Sequence, residues 1–504
     1  MHQRYIHNLL ISAVLLSACS LQAYRAGNPD LAGTSGNARA QQCLSLYANM
    51  DTYLYNHGIA DVQEYRVPGY PFLRVNRFLS SFRNELSDMR QSVFWLQQLS
   101  QLDRESRLIE IREIPDVDIQ QLSQQANNRA GLVEQVKSCS GLLTTMAGNN
   151  AAEVADISSR AVVPDNYNTI MRVFGLYPLS SFFVMYGINH WHATTMASFG
   201  KPGRDDGNTE NFLLYRPDTD AVTSGMDVAG AFKIARNNNP LSIPLLDDKT
   251  LPALFERYAP VWEIETLQEA DHFGVPVWTE GGSIMIDISR PTVFDYVSYT
   301  RIHNQVLLQL NYTIWFPSRP VTGWLDILGG KLDGITWRVT LDNKGVPVFY
   351  DTMHNCGCYH MVFPDARYQL KDIQHVYEEP LLVPATAPVL HAGEHMVVTV
   401  ESGTHYIRSI HNGSLDTSSS MYAFADYDGL RELPAGTNGY RSMFDERGLV
   451  AGTERKERWI LWPMGIIEPG AMRQRGQHAT AFIGRRHFDD PYLFQDHFSG
   501  PMAN

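Results

Sequence analysis

The heptapeptide His354-Asn355-Cys356-Gly357-Cys358-Tyr359-His360 places two imidazoles and two thiols at every second position. Such side chains bind transition metals, close disulfides or attack as nucleophiles. On a straight strand all four would point to one side. Two residues of strand advance the chain by about 6.6 Å, so His354 and His360 would stand roughly 20 Å apart. Metal–ligand bonds are only roughly 2.0–2.3 Å long, so one ion cannot reach both. A single site therefore needs the chain to bend, and Gly357 permits a bend.

Three chemistries fit the heptapeptide. Thiolate with imidazole suits zinc or copper. The candidate ligand set is then His354, Cys356, Cys358 and His360, completed by His190 and His192 of His190-Trp191-His192. Those last two share a face if they lie on a strand. Alternatively, Cys356 and Cys358 pair as a small, strained disulfide ring. In the third reading one cysteine is a nucleophile, with His354 or His360 as its base.

Other histidines look like ligands only when written in a line. A two-residue turn at Ser402-Gly403 would set Val400 opposite His405 and Glu394 opposite His411. His405 and His411 would then share a face but stand about 20 Å apart, with His395 on the other face. At most one of them, with Glu394 beside His411, can join a site. His391, His478, His487 and His497 carry no readable geometry. Asp271-His272, Glu280 and the lone Arg319 suit acid–base or anion-binding work, and equally suit turns and caps.

The compartment is written at the other end of the chain. A start containing Arg4 and no acid precedes the short apolar run Leu9–Leu16. That run is far shorter than the about 20 residues a membrane span needs, and it has the form of a secretory signal. Leu16-Ser17-Ala18-Cys19 then resembles the lipobox of bacterial lipoproteins. The resemblance covers the first 20 residues. It implies that 1–18 is a cleaved signal peptide and that Cys19 carries diacylglycerol and a fatty acyl chain such as palmitate. Such an anchor contributes about 0.8 kcal/mol per buried methylene. Ser20, where Asp would favour the inner membrane, implies an outer-membrane protein facing the periplasm or the cell surface.

In that oxidising setting Cys43 and Cys139 are expected to form a disulfide. A net charge of −13 argues against a nucleic-acid partner, because phosphate binding needs basic patches. A protein or small-molecule partner stays open. The expected order is a tether over 19–40, a helical domain over 41–150 and a β-rich domain over 151–504. Leu86, Met89, Val93 and Leu96 recur at helical spacing, whereas Leu308, Leu310, Tyr312, Ile314 and Phe316 alternate with polar residues, as do Ile335, Trp337, Val339 and Leu341. Asn343-Lys344-Gly345 marks a turn between strands. The stretch between Arg172 and Lys201 has no acidic or basic residue, which favours burial in the main domain. From about Ala423 the chain is expected to wrap the sheet irregularly. The class is α+β, with a helical N-terminal region before a larger, mainly antiparallel β-rich domain. The expected function is a membrane-anchored envelope lipoprotein with a Cys/His metal site. The alternatives are a non-catalytic structural or binding lipoprotein, and a cysteine-dependent hydrolase or transferase acting on envelope material.

Overall fold

The computed structural model describes residues 36–123, 128–201, 211–218, 226–372, 378–415, 419–436 and 439–501. The chain divides into two compact units that meet in sequence at Pro164/Asp165. Cys19 and residues 19–35 of the expected tether lie outside the described residues, and its last residues, Ala38–Ala40, instead open a helix that starts at Ala38.

Asparagine and aspartate side chains start the helices of the first unit. Asn37, Asp88 and Asn128 each accept a hydrogen bond from a backbone N–H in the first turn, at the heads of Ala38–His57, Met89–Glu113 and Arg129–Gly148. A hairpin interrupts this helical region: β1 (Tyr65–Val67) and β2 (Tyr70–Val75). Every residue of β2 is buried, so it carries no two-residue alternation to read. One of them is Arg74. Its guanidinium meets Glu110 at 2.7 Å, Asp61 at 3.2 Å and Asp103 at 3.2 Å, and buried Arg107 adds a 2.6 Å contact to Asp51. Such charges are tolerated in a core only when paired. Cys43 and Cys139 are bonded through their sulfurs, with Cα atoms 5.3 Å apart, and tie the first long helix to the third.

The second unit is built on strands β3 (Phe212–Pro217), β4 (Val261–Glu265), β7 (Thr292–Ile302), β8 (Gln305–Arg319), β9 (Gly330–Leu341), β10 (Pro347–His354), β11 (Met361–Pro364), β13 (Glu394–Val400), β14 (Ile407–Ser414) and β15 (Ser420–Asp426). Short pairs outside this sheet use β5 (Val275–Trp278), β6 (Ile284–Asp287) and β12 (Gln369–Leu370). The ten strands lie in the order β11-β10-β9-β8-β7-β15-β3-β4-β13-β14. Neighbours are antiparallel except β7/β15, β15/β3 and β4/β13. The fold is thus α+β, a helical region followed by a β-rich domain.

The alternation along β8 and β9 sets the two faces of the sheet. Leu310, Tyr312, Ile314 and Phe316 register with Val339, Trp337, Ile335 and Asp333. On the reverse face Gln309, Asn311 and Thr313 oppose Thr340, Arg338 and Thr336. The apolar face curls round on itself, so that Trp262 of β4 and Met396 and Val398 of β13 share one core with Tyr312 and Trp337. The polar face is buried too, under the C-terminal segment. Arg338 lies 3.6 Å from the Phe488 ring centre and donates to the Phe488 carbonyl at 2.6 Å. Pro491 accepts from Thr300 Oγ1 and from the Arg301 amide.

The charge-free stretch departs from its expected burial. It forms the 22-residue helix Tyr177–Ser198, whose Phe182, Phe183 and Tyr186 are exposed. Composition favours burial, but burial also needs an element to cover each face. This helix packs on Trp462–Met464 and, through Trp191, on Tyr359 and Tyr406, and it presents Phe182, Phe183 and Tyr186 outward.

Arg74→Ala is expected to lower the first unit's stability by about 3 kcal/mol, because Asp61, Asp103 and Glu110 each lose a buried cation, leaving Arg66 and Arg107 to pair the last two. Urea unfolding with the disulfide intact reads this. A loss below about 1 kcal/mol would mean that the carboxylates find other partners.

Candidate functional site

The heptapeptide does bend at Gly357. Its φ of +95° is in the left-handed region, and a Cβ there would lie 2.5 Å from the Ala479 carbonyl oxygen. The Gly357 amide donates to the His354 carbonyl at 2.7 Å, and the His354 amide to the Cys358 carbonyl at 3.0 Å. The bend does not bring the ligand candidates together. Asp351 and His354 are three apart on β10, so they face opposite sides of the sheet. His360 joins Asp351 on the polar side, with Nε2 3.1 Å from the carboxylate that also takes both ends of the Arg338 fork. His354 stays on the apolar side, Nδ1 at 3.4 Å from Asp333 and Nε2 at 3.1 Å from the His405 carbonyl.

The zinc or copper site is therefore corrected. Among the described residues no group of three or more His, Cys, Asp or Glu side chains is arranged to hold a metal ion. His190 and His192 do not complete one either. They lie on a helix, where two residues turn the chain by about 200° and so point them apart. The residue between them reaches the bend instead: Trp191 packs on Tyr359 with ring centres 5.2 Å apart. Burial, with Arg486 nearby, pushes the half-buried His192 down to about 4.

Cys356 and Cys358 are free thiols. The hydrogen bond to Cys356, with burial, holds the Cys358 thiol well above the usual range. Neither imidazole of the heptapeptide is hydrogen-bonded to a sulfur, so the nucleophile reading lacks its base. Burial pushes His360 down to about 4 despite its Asp351 partner.

The histidines of the last hairpin also move from their expected places. Val400 pairs with Ile407 and Val397 with His411, because the connecting loop is longer than two residues. His405 lies in that loop, fully buried, with φ of +55°. His395 bonds the Ala259 carbonyl at 3.0 Å, and His391 and His411 are exposed. His478 bonds the Asn355 carbonyl at 3.2 Å, His487 lies 3.4 Å from Asp165, and His272 meets the Tyr215 hydroxyl at 2.9 Å. Glu280 is exposed, and His497 sits at the end of the short helix Leu493–His497.

What the fold does assemble is a carboxylate–imidazole–carboxylate chain. His405 Nδ1 lies 2.9 Å from Asp333, and its Nε2 3.7 Å from Asp271. Its ring stacks on Phe316, 3.9 Å between centres and 4° from parallel. Burial alone would push His405 down, yet the nearby Asp271 carboxylate and the hydrogen bond to Asp333 carry it above its ordinary value. Burial would raise both carboxyls. His354 and His405 instead hold Asp333 well below the usual range. His405, Ser402 and the amides of Leu267 and Gly403 hold Asp271 at about 2. Burial pushes His354 down, against the pull of Asp333.

A second layer covers this chain. Arg319 donates to the Tyr406 hydroxyl at 3.0 Å, and its guanidinium lies 4.9 Å from the Tyr406 ring centre and 5.7 Å from that of Tyr359. Leu332, Tyr359 and His405 all have left-handed backbones without being glycine. Each such residue costs on the order of 1–3 kcal/mol, so the surrounding contacts must hold it. The arrangement closes and rigidifies this end of the sheet. It leaves no partner-free imidazole aimed at solvent.

Asp333 had a visible signal in the sequence. It occupies an apolar-face position of β9, in step with Ile335, Trp337, Val339 and Leu341. A carboxylate there requires a cation. Its link to His405 is long-range and could not be read from spacing. No protein-family model, curated protein or solved structure matches the chain.

The chain of charges predicts a pH signature. His405 is raised in the folded state, so its contribution is full below the ordinary imidazole value of about 6.5 and fades as pH rises through the higher folded value. The Asp271 carboxylate works the other way, losing its contribution as pH falls toward about 2. His405→Gln should therefore cost roughly 3 kcal/mol near pH 6, and the deficit should shrink at alkaline pH. Denaturant unfolding across pH checks this, and a pH-independent deficit would count against it.

Proposed function

We propose that this is a lipid-anchored protein of the bacterial outer membrane whose larger unit rests on the bilayer through the helix Tyr177–Ser198, and that it works by binding rather than by catalysis. The observation that carries this reading is the exposure of that helix. Phe182, Phe183 and Tyr186 are 75%, 76% and 78% exposed, and no charged residue lies between Arg172 and Lys201. Adjacent exposed aromatic rings on an uncharged helix mark a surface that meets protein or lipid. Among the described residues no helix is long and apolar enough to cross a membrane, so this one lies in the interface plane.

Neighbouring side chains support a bilayer as the occupant. Trp459 and Ile460 are exposed on Arg458–Leu461, which packs on the same Trp462–Met464 turn as the helix. Lys456 donates to the carbonyl of the exposed Trp324. Tryptophan and tyrosine beside lysine suit the headgroup region. Each apolar side chain moved fully out of water contributes roughly 1.5–3 kcal/mol, so a few rings add usefully to an acyl anchor. The lipobox at Leu16–Cys19 supplies that anchor.

Two measurements test the reading. Wild-type protein made in a Gram-negative host should incorporate labelled palmitate, and Cys19→Ala should not. The unlipidated full chain should float with phosphatidylethanolamine/phosphatidylglycerol vesicles. Phe182→Asp with Phe183→Asp should cut that binding tenfold or more. Failure of the unlipidated chain to float, or equal flotation of the double variant, would reject the bilayer as occupant.

A further inference from the structure

With the metal, the imidazole base and the long-range disulfide accounted for, the two thiols at the bend are the reactive groups left over. The turn that carries them is tightly held. The Asn355 amide donates to Gly334 at 2.9 Å, and the Asn355 side chain bonds the Ile314 carbonyl at 3.2 Å and Thr336 Oγ1 at 2.8 Å. Arg473 donates from its amide to the Asn355 carbonyl at 2.8 Å and from Nε to the Cys356 carbonyl at 3.2 Å. The Cys358 amide donates to Cys356 Sγ at 3.4 Å, which sets that sulfur beside the Cys358 backbone. Cys356 is buried and Cys358 half-buried, so Cys358 is the more exposed residue of the pair.

We infer that Cys356 and Cys358 are a redox pair that closes to an intramolecular disulfide by exchange with a small-molecule disulfide. Residues two apart keep their Cα atoms within about 7 Å, and a bend shortens this into the disulfide range. The Cys358 thiol is held above its usual range and the buried Arg473 guanidinium offsets this only in part, so the exchange should quicken as pH rises. In the first step Cys358 loses its proton to solvent and its sulfur attacks the S–S bond of glutathione disulfide. One glutathione leaves as thiolate and takes up a proton. In the second step the Cys356 sulfur, losing its own proton, attacks the Cys358 sulfur and expels the second glutathione. One S–S bond is broken and one formed, and two electrons pass from the protein to glutathione. A hydrogen-bonded turn with the more exposed cysteine attacking and the buried one resolving is the layout such exchange needs.

The test uses the full chain with its Cys43–Cys139 bond intact. The protein is held in glutathione buffers of increasing disulfide content, quenched in acid, alkylated under denaturing conditions and mapped by mass. The peptide holding both cysteines should pass from doubly alkylated to unalkylated with an internal disulfide, without a lasting glutathione adduct. Cys356→Ser should stop at a glutathione adduct on Cys358. Double alkylation throughout, a persistent adduct on the wild-type protein, or a disulfide joining two chains would overturn the inference. The wild-type arm decides it even if the variant does not fold.

Discussion

The second unit depends on a carboxylate placed where its neighbours along the strand are apolar. Asp333 sits on the apolar face of β9, at the end of the core, and desolvation there is costly unless cations and donors meet it. His405 and His354 do so, with Arg455 at 3.9 Å behind them. His405 can comply only from a left-handed backbone in the loop between β13 and β14, held in turn by Asp271. The loop is thereby pinned to the far half of the sheet. The curl of ten strands is closed at this end by charge as well as by apolar packing.

That constraint also decides what chemistry is left. Strand alternation sends His354 and His360 to opposite faces, and each meets a carboxylate already engaged by other cations. Imidazoles committed in this way serve neither a metal ion nor a thiol. The cysteines between them are left as free thiols two residues apart at the bend. The aromatic layer of Tyr359, Tyr406 and Trp191 over Arg319 then joins the pinned loop to the exposed helix.

The legible parts of the sequence were those governed by local rules. Alternation along Leu308–Phe316 and Ile335–Leu341 marked the central strands, because one face of each packs into the apolar core. Gly357 was readable as the residue that permits a bend, but the distance arithmetic called for one only if a metal site stood there. Three features escaped for physical reasons. β2 is buried on both sides, so it shows no period. The hairpin register slipped because a loop tied to Asp333 and Asp271 is longer than a tight turn. The charge-free helix was misplaced because composition reports what a segment would bury, not whether anything covers it. His405 was noticed and Asp271 was weighed, but their pairing with Asp333 depends on the curl of the sheet.

The charge state of His405 tests the account most directly. Nitrogen NMR of the imidazoles in the folded protein near pH 6.5 resolves protonated from neutral rings. Both His405 ring nitrogens should carry protons there, with exchange slowed by burial. A neutral His405 ring with one bare nitrogen would contradict the carboxylate–imidazole–carboxylate latch on which the closure of the sheet rests.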